Sequence, residues 1–187
     1  YRAPSIESIA PPRILSQGAI TINGRNLKGQ VTRVRFMIDR DHEILKEVDS
    51  VKSDQIIATL PRELLAGVNT VEVVHDLELG EEKPPEMHKG FISNSEPFML
   101  PQITAPPLSV TQGGNLKLRV NPPVGRKQRA SLLLGERTIP IPPLSLTGPD
   151  TSEELNIPIP VDFPKGLYFL RLKVDGAESP LKVEDNP

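Results

Sequence analysis

The chain has 187 residues, 37% of them hydrophobic and 25% charged, a composition that suits a folded globular protein and excludes a disordered one. Its formal net charge of −2 provides no overall attraction to nucleic acid or anionic lipid. The absence of cysteine excludes disulfides, cysteine metal ligands and thiol catalysis, and the 21 prolines exclude long helices from much of the chain, because proline lacks the N–H group that a helix uses.

The first half of the chain has the hydrophobic pattern of β-strands. Four short stretches alternate or run apolar and are rich in β-branched residues: AITING (19–24), TRVRFMI (32–38), QIIATL (55–60) and NTVEVV (69–74). Turn residues such as Gly, Asn and Pro separate them. This pattern predicts an all-β fold. Because the first residue is Tyr rather than Met, we also expect the chain to be part of a longer protein.

One stretch, DHEILKEVDSVK (41–52), is compatible with two structures. Its apolar residues from Ile44 to Val51 have helical spacing, whereas residues 48–61 have the pattern of a β-hairpin. We expect strands here, followed by a single helical turn in PRELLAG (61–67).

The second half repeats the plan of the first. Strand-like stretches recur as LKLRV, ASLLL, RTIPI, ELNIPI, LYFLRLKV and PLKV. Three pairs of landmarks keep their order: Pro11 and Pro106, Gly18 and Gly113, and Leu60-Pro61 before Gly67 with Ile159-Pro160 before Gly166. In the stretch that follows each of these last glycines, Val71 and Val73 correspond to Leu170 and Leu172.

A duplication of this kind predicts two globular domains rather than a solenoid. We place them at residues 1–100 and 101–187, and the many short strands predict an immunoglobulin-like β-sandwich in each. The expected core of the first domain is Ile20, Ile22, Val34, Phe36, Ile57, Val71 and Val73. The expected core of the second is Leu116, Leu118, Leu132, Leu134, Ile157, Leu170 and Leu172.

The histidines do not have the spacing of a metal site. His75 lies on a predicted strand next to Asp76, a pairing that is more often a surface feature than a catalytic dyad. The stretch DRDHE places Asp39, Asp41 and Glu43 at the spacing that opens a calcium loop. The glycine and the final glutamate of such a loop are missing, so a solvated charge cluster is favoured over a cation site.

Other candidate sites are equally weak. Arg126, Lys127 and Arg129 form the densest basic cluster, but without the aromatic neighbours that nucleic-acid binding uses, so a solvated turn is the better interpretation. A lyase or hydrolase centred on Asp39, Asp41 and His42 is a third possibility. Sugar stacking is poorly supported because aromatics are scarce. The aromatics near predicted strands are expected in the core: Phe91, Phe98, Phe163, Tyr168 and Phe169.

From the residues alone we assign no catalytic, cofactor-binding or metal-binding residue. The chain is therefore predicted to be a non-enzymatic interaction or spacer protein that uses no cofactor and binds neither nucleic acid nor a small-molecule substrate.

The opening stretch SIESIAPPRILSQGAITINGRNLKG resembles the IPT/TIG domains, immunoglobulin-like modules of receptors, transcription factors and bacterial enzymes. That family follows its first alternating strand with Gly-x-x-Phe. Here Gly24-Arg25-Asn26-Leu27 has leucine in place of the phenylalanine.

Three later stretches resemble the C-terminal part of the tube-terminator, or cap, proteins of phage-tail-like contractile injection systems. They are HKGFISNSEPFMLPQI, VNPPVGRKQRASLLLGE and PVDFPKGLYFLRLKVDGAESPLKVE. The features that carry this resemblance include Gly125 with Gln128, Gly166-x-Tyr168 and Val174-Asp175-Gly176.

The second resemblance implies a structural docking arm of a cap protein. Its implied partners are its own N-terminal terminator domain, neighbouring cap subunits of a hexamer, and sheath or membrane-anchoring components. The implied location is the bacterial cytoplasm, within an assembled particle that is released or membrane-associated in some systems. The alternative is an accessory protein- or glycan-binding domain pair of a bacterial surface or secreted protein.

Overall fold

A computed structural model describes residues 2–11, 18–38, 42–79, 86–100, 103–105 and 109–180. Within these ranges every regular element is a β-strand, as the sequence predicts, and no helix is long and apolar enough to cross a membrane. The chain divides into two compact units. The first comprises Tyr1–Leu64 and Asn69–Phe98, and the second comprises Leu65–Val68 and Met99–Pro187.

The first unit is built from two antiparallel sheets. One has the order β1-β2-β6-β5, and the other has the order β4-β3-β7-β8 with β9 also paired to β7. The strands are β1 Ser5–Ala10, β2 Ala19–Arg25, β3 Val31–Met37, β4 Glu43–Glu47, β5 Ser50–Val51, β6 Gln55–Thr59, β7 Val68–Leu79, β8 Glu86–Ile92 and β9 Glu96–Met99.

The second unit follows the same plan. Its sheets have the orders β10-β11-β14 and β13-β12-β15-β16, again with antiparallel pairing. The strands are β10 Ile103–Ala105, β11 Asn115–Gly125, β12 Ala130–Leu134, β13 Arg137–Pro140, β14 Thr151–Pro158, β15 Leu170–Val174 and β16 Ala177–Glu178.

Each alternating strand buries one of its two faces, because successive side chains of a strand point to opposite sides of the sheet. In the first unit Phe36 of β3 and Phe98 of β9 are fully buried and meet edge to face, with ring centroids 6.2 Å apart. In the second unit Leu118, Leu132 and Leu172 lie in one apolar cluster. The expected core residues are buried in both units, except for Ile57 and Leu170.

The two exceptions have different causes. Ile57 is 36% exposed, because β6 pairs Ile56 with Ile22 and so turns Ile56 rather than Ile57 into the core. The prediction that Ile57 lies in the core is therefore wrong. The core residue is its neighbour Ile56, and adjacent residues of a strand point to opposite faces of the sheet. Leu170 lies at the start of β15 and is partly buried against the core.

The ambiguous stretch after residue 41 forms strands, as expected. β4 pairs with β3, whereas β5 pairs with β6 in the other sheet. The stretch 61–67 forms turns rather than the expected helical turn, and part of it belongs to the second unit. There the Ala66 amide donates to the carbonyl of Pro123 at 2.9 Å, and Ala66 is buried in the core.

Candidate binding surface

The structure separates the residues of the candidate dyad. His75 and Asp76 are neighbours on β7 and therefore project from opposite faces of its sheet. The His75 Nε2 atom lies 3.0 Å from the carbonyl oxygen of Leu27, whereas the carboxylate of Asp76 accepts a hydrogen bond of 2.6 Å from Nε of Arg33. Both residues are buried, contrary to the expected surface position, and each has a structural partner.

The candidate cation cluster lies partly outside the described residues, since Asp39 and Asp41 are not among them. Glu43 forms an ion pair of 3.2 Å with Arg35. Arg35 also binds Glu72 on β7, and this hydrogen bond is the largest of the effects that raise the pKa of Arg35. Within the described ranges, no group of three or more His, Asp or Glu side chains could hold a metal ion.

Two residues of the basic cluster form contacts within the second unit. Arg126 pairs with Asp150 at 2.9 Å, and the backbone amide of Arg129 donates to Asp175 at 2.9 Å. Lys127 is exposed, as expected for a turn residue.

Aromatic side chains depart most from expectation. Phe98 and Phe163 are buried as expected, but Phe169 is 70% exposed, and Tyr168 and Phe91 are more than one-third exposed. The expectation that Phe91, Tyr168 and Phe169 lie in the core is therefore wrong.

Phe169 projects outward because of the strand that it precedes. Leu172 and Val174 of β15 point into the core, so Arg171 and Lys173 point to the outer face of the sheet. The amide of Gly135 donates to the carbonyl of Phe169 at 2.9 Å, which continues the pairing of β12 with β15 by one residue. Phe169 thus lies on the outer face with Arg171 and Lys173. We call Leu167, Phe169, Arg171 and Lys173 the outer row.

The apolar end of the outer row has little protein around it. Leu167 is fully exposed. Across from Phe169 stands Gly135, with a φ of +59°, which offers no side chain for the ring to pack on. A Cβ built at Gly135 would approach the ring of Tyr168 at 3.5 Å and no atom of Phe169. Phe169 therefore does not cover the glycine and points into solvent.

The intervening residue, Tyr168, holds this segment in place. Its ring meets the buried ring of Phe163 edge to face, with centroids 5.3 Å apart, and its hydroxyl donates to the carbonyl of Pro164 at 3.0 Å. The guanidinium of Arg137 lies 5.6 Å from the Phe163 ring centroid, within cation–π range. Leu167 and Phe169 are thus presented by a segment whose central side chain is fixed.

The charged residues of the outer row form ion pairs with a single carboxylate. Glu178 of β16 pairs with Arg171 at 2.7 Å and with Lys173 at 3.7 Å. All three side chains remain between 32% and 43% exposed. Their hydrogen-bonding groups are therefore reachable from solvent, and the two cations and one carboxylate give the group a formal charge of +1.

The first unit provides an internal comparison. Since Val71 and Val73 correspond to Leu170 and Leu172, the residues that correspond to Leu167, Phe169, Arg171 and Lys173 are Val68, Thr70, Glu72 and Val74. There Thr70 faces Met37 of β3, and Glu72 is paired with Arg35. At this place in the repeat, the exposed phenylalanine is thus present in the second copy and absent from the first.

Two family models match this chain, one in each half of the sequence repeat. Residues 4–85 match the IPT/TIG domain. Residues 101–187 match a domain of unknown function (DUF8756). The IPT/TIG domain has an immunoglobulin-like fold, and the all-β architecture described above agrees with it. A comparison with curated protein sequences finds no match.

A comparison with solved structures aligns most of this chain with parts of several larger proteins. The surface glycan-binding protein PbSGBP-B from Prevotella bryantii is 11% identical, with 96% of this chain and 41% of that chain aligned and a TM-score of 0.44. SGBP-B from a complex xyloglucan utilization locus in Bacteroides uniformis is 19% identical, with 95% and 48% aligned and a TM-score of 0.33. Gamma-CGTASE from Alkalophilic bacillus clarkii is 17% identical, with 95% and 24% aligned and a TM-score of 0.40. The chain spans less than half of each of these proteins.

Proposed function

We propose that this chain is a non-enzymatic binding module of a longer protein, and that the outer row of the second unit is its contact surface. The observation that carries the proposal is the 70% exposure of Phe169 beside a fully exposed Leu167, on a segment that Tyr168 fixes. Covering one such side chain contributes about 1.5–3 kcal/mol to association. An ordered, exposed aromatic loses little conformational entropy when a partner covers it.

The duplication suggests a direct test. Replacing Leu167 and Phe169 by the corresponding residues of the first copy of the sequence repeat, Val68 and Thr70, gives the variant Leu167→Val/Phe169→Thr. Because both positions face solvent, the variant should unfold at the same temperature as the wild type. It should lose binding to whatever the module recognises, measured as retention of the full chain on immobilised polysaccharides, lipid vesicles and purified protein subunits. Leu146→Ala is the matched control, since Leu146 is 85% exposed but lies outside the outer row.

We expect the wild type and the Leu146→Ala control to be retained on one class of support, and the double variant not to be retained on it. Equal retention of wild type and double variant on the support that binds would overturn the assignment of the contact surface. Absence of retention on all three supports would overturn the binding function itself.

The docking arm of an injection-system cap remains a prediction that rests on the resemblance of the sequence motifs. Among those motif residues, Gln128 accepts a hydrogen bond from the Gly125 amide at 2.8 Å and donates one to Asp175 at 3.0 Å. These contacts show that Gln128, Gly125 and Asp175 stabilise the fold. They favour neither of the two functions. Negative-stain images of injection particles assembled with and without this chain test the prediction. Unchanged density at the capped end would count against it.

A further inference from the structure

We infer that the outer row binds a neutral carbohydrate chain, with Phe169 stacking on a sugar ring and the group of Arg171, Lys173 and Glu178 binding its hydroxyls. This inference rests on the proposed function and adds the class of ligand.

The composition of the row suits a sugar. A pyranose ring presents an apolar C–H face and a rim of hydroxyl groups, so it needs a flat apolar side chain next to donors and acceptors. Phe169 supplies the flat side chain, and Arg171 lies two residues further on the same face. Arg171 supplies donors and Glu178 supplies acceptors, and their mutual ion pair holds both in place.

The ion pairing of both cations in the row favours a neutral ligand over an anionic one. Both cations, Arg171 and Lys173, already lie within 4 Å of the carboxylate of Glu178. An anionic ligand would therefore have to compete with a bound carboxylate and would approach that carboxylate closely. A neutral hydroxyl can instead bridge the guanidinium and the carboxylate without disturbing the pair.

The shape of the row favours a chain over a single sugar. Strand residues rise about 3.3 Å each, so Phe169 and Lys173 stand about 13 Å apart along the sheet. A row of this length presents the stacking side chain and the polar group to successive parts of an extended ligand. The corresponding row of the first unit lacks the ring, because Thr70 stands in its place, although Glu72 and Arg35 of the neighbouring strand form a comparable ion pair there.

Substitutions at Phe169 distinguish stacking from general apolar contact. Phe169→Tyr keeps a flat ring, whereas Phe169→Leu keeps an apolar side chain without the ring. A sugar-binding surface tolerates tyrosine and loses affinity with leucine, while burial against a protein or in a lipid surface tolerates leucine. Leu146→Ala again serves as the control outside the row.

Affinity electrophoresis of the full chain in native gels tests the inference, with hydroxyethyl cellulose, xyloglucan and galactomannan as neutral probes and polygalacturonate as the anionic probe. We expect at least one neutral probe to retard the wild type, Phe169→Tyr and Leu146→Ala, and Phe169→Leu to bind about tenfold more weakly. Arg171→Met should also weaken retardation. Thermal unfolding of each variant, measured in parallel, verifies that it is folded.

Three outcomes would overturn the inference. They are retardation by polygalacturonate alone, no retardation by any of the four probes, and equal retardation of wild type and Phe169→Leu. Phe169-dependent binding to phosphatidylcholine vesicles or to a protein subunit, without retardation in the gels, would overturn the sugar assignment but retain the proposed binding function. Absence of all binding would overturn both.

Discussion

The backbone amide of Leu172 donates a hydrogen bond of 2.9 Å to the hydroxyl of Ser179, and the Ser179 amide returns one of 2.7 Å to the Leu172 carbonyl. The first unit contains the same arrangement between Val73 and Ser93, with distances of 2.8 and 2.9 Å. Because Val73 and Leu172 correspond in the sequence repeat, the two serines occupy matching places. The duplication therefore extends to a buried side chain that satisfies the central strand of each unit.

The first prediction concerns Ser179. Ser179→Ala leaves the buried amide of Leu172 without its acceptor, which should lower the free energy of unfolding by about 1–3 kcal/mol. Ser93→Ala should act similarly in the first unit. Urea denaturation measures both effects, and Ser145→Ala is the control, because Ser145 is exposed. A loss at Ser179 no larger than at Ser145 would show that the reciprocal bonds contribute little.

The second prediction uses the two adjacent isoleucines of β6. Ile56 is fully buried and Ile57 is 36% exposed. Ile56→Ala should therefore cost about 2–5 kcal/mol of stability, through lost burial and a residual cavity. Ile57→Ala removes the same atoms from the solvent side and should cost far less. Equal losses in thermal unfolding would mean that the register of β6 against β2 differs from the one described.

These isoleucines show how far sequence patterns reach. Alternation identified the strands and most of the core, because burying one face of a strand leaves a period of two. Within QIIATL, Ile56 and Ile57 are equally apolar, and the prediction names Ile57. The alternation favours Ile56 instead, because Ala58 shares its face and is buried, whereas Gln55 and Thr59 share the face of Ile57. The pairing of Ile56 with Ile22 agrees with that alternation.

The outer row was missed for a related reason. Residues 167–170, LYFL, are uniformly apolar, so composition alone placed Phe169 in the core. Parity is the signal that identifies it, since the sequence predicts Leu170 and Leu172 in the core and Phe169 cannot share their face of the strand. The inclusion of Leu65–Val68 in the second unit carried no such signal, because it depends on contacts with residues far along the chain, such as the bond from Gln128 to the Ala66 carbonyl.

The third prediction concerns Gln128. Its side chain accepts from the Gly125 amide at 2.8 Å and donates to the Ala66 carbonyl at 2.6 Å and to Asp175 at 3.0 Å. Gln128→Ala removes all of these bonds and should lower stability by about 1–3 kcal/mol. The adjacent Lys127→Ala changes an exposed residue and should stay within about 0.5 kcal/mol. Chemical denaturation of the two variants gives the comparison, and a Lys127 variant that fails to fold would contradict the surface position of that turn.

The fourth prediction contrasts two ion pairs of the first unit. Arg33 pairs with the buried carboxylate of Asp76, whereas Arg25 pairs with Glu7 at 2.6 Å on the surface. Arg33→Met leaves a buried carboxylate without its partner, and such losses cost about 3–5 kcal/mol. Arg25→Met should have little effect, because exposed pairs are screened by solvent. The difference between their unfolding midpoints is the measurement. If the Arg33 variant matched the Arg25 variant, water would have to reach Asp76.

The fifth prediction concerns the edge of β14, which pairs only with β11 among the described strands. The Ile159 amide donates to the Gly114 carbonyl, so the alternation of an antiparallel ladder turns the backbone groups of Pro158 and Glu154 toward the free edge. Pro158 has no N–H group to offer there. The hydroxyl of Ser152 accepts from the Glu154 amide at 3.1 Å and donates to its carbonyl at 2.6 Å.

Pro158 and the hydroxyl of Ser152 therefore block two of the positions that another strand would use, one on each side of Asn156, a recognised protection against edge-to-edge pairing. The double variant Ser152→Val/Pro158→Thr should expose the edge and cause concentration-dependent self-association, measured by sedimentation velocity. Thr151→Val adds a valine to the same strand but leaves both protecting residues in place, so it should remain at the wild-type sedimentation coefficient. Equal association of the two variants would attribute the effect to added hydrophobicity rather than to the opened edge.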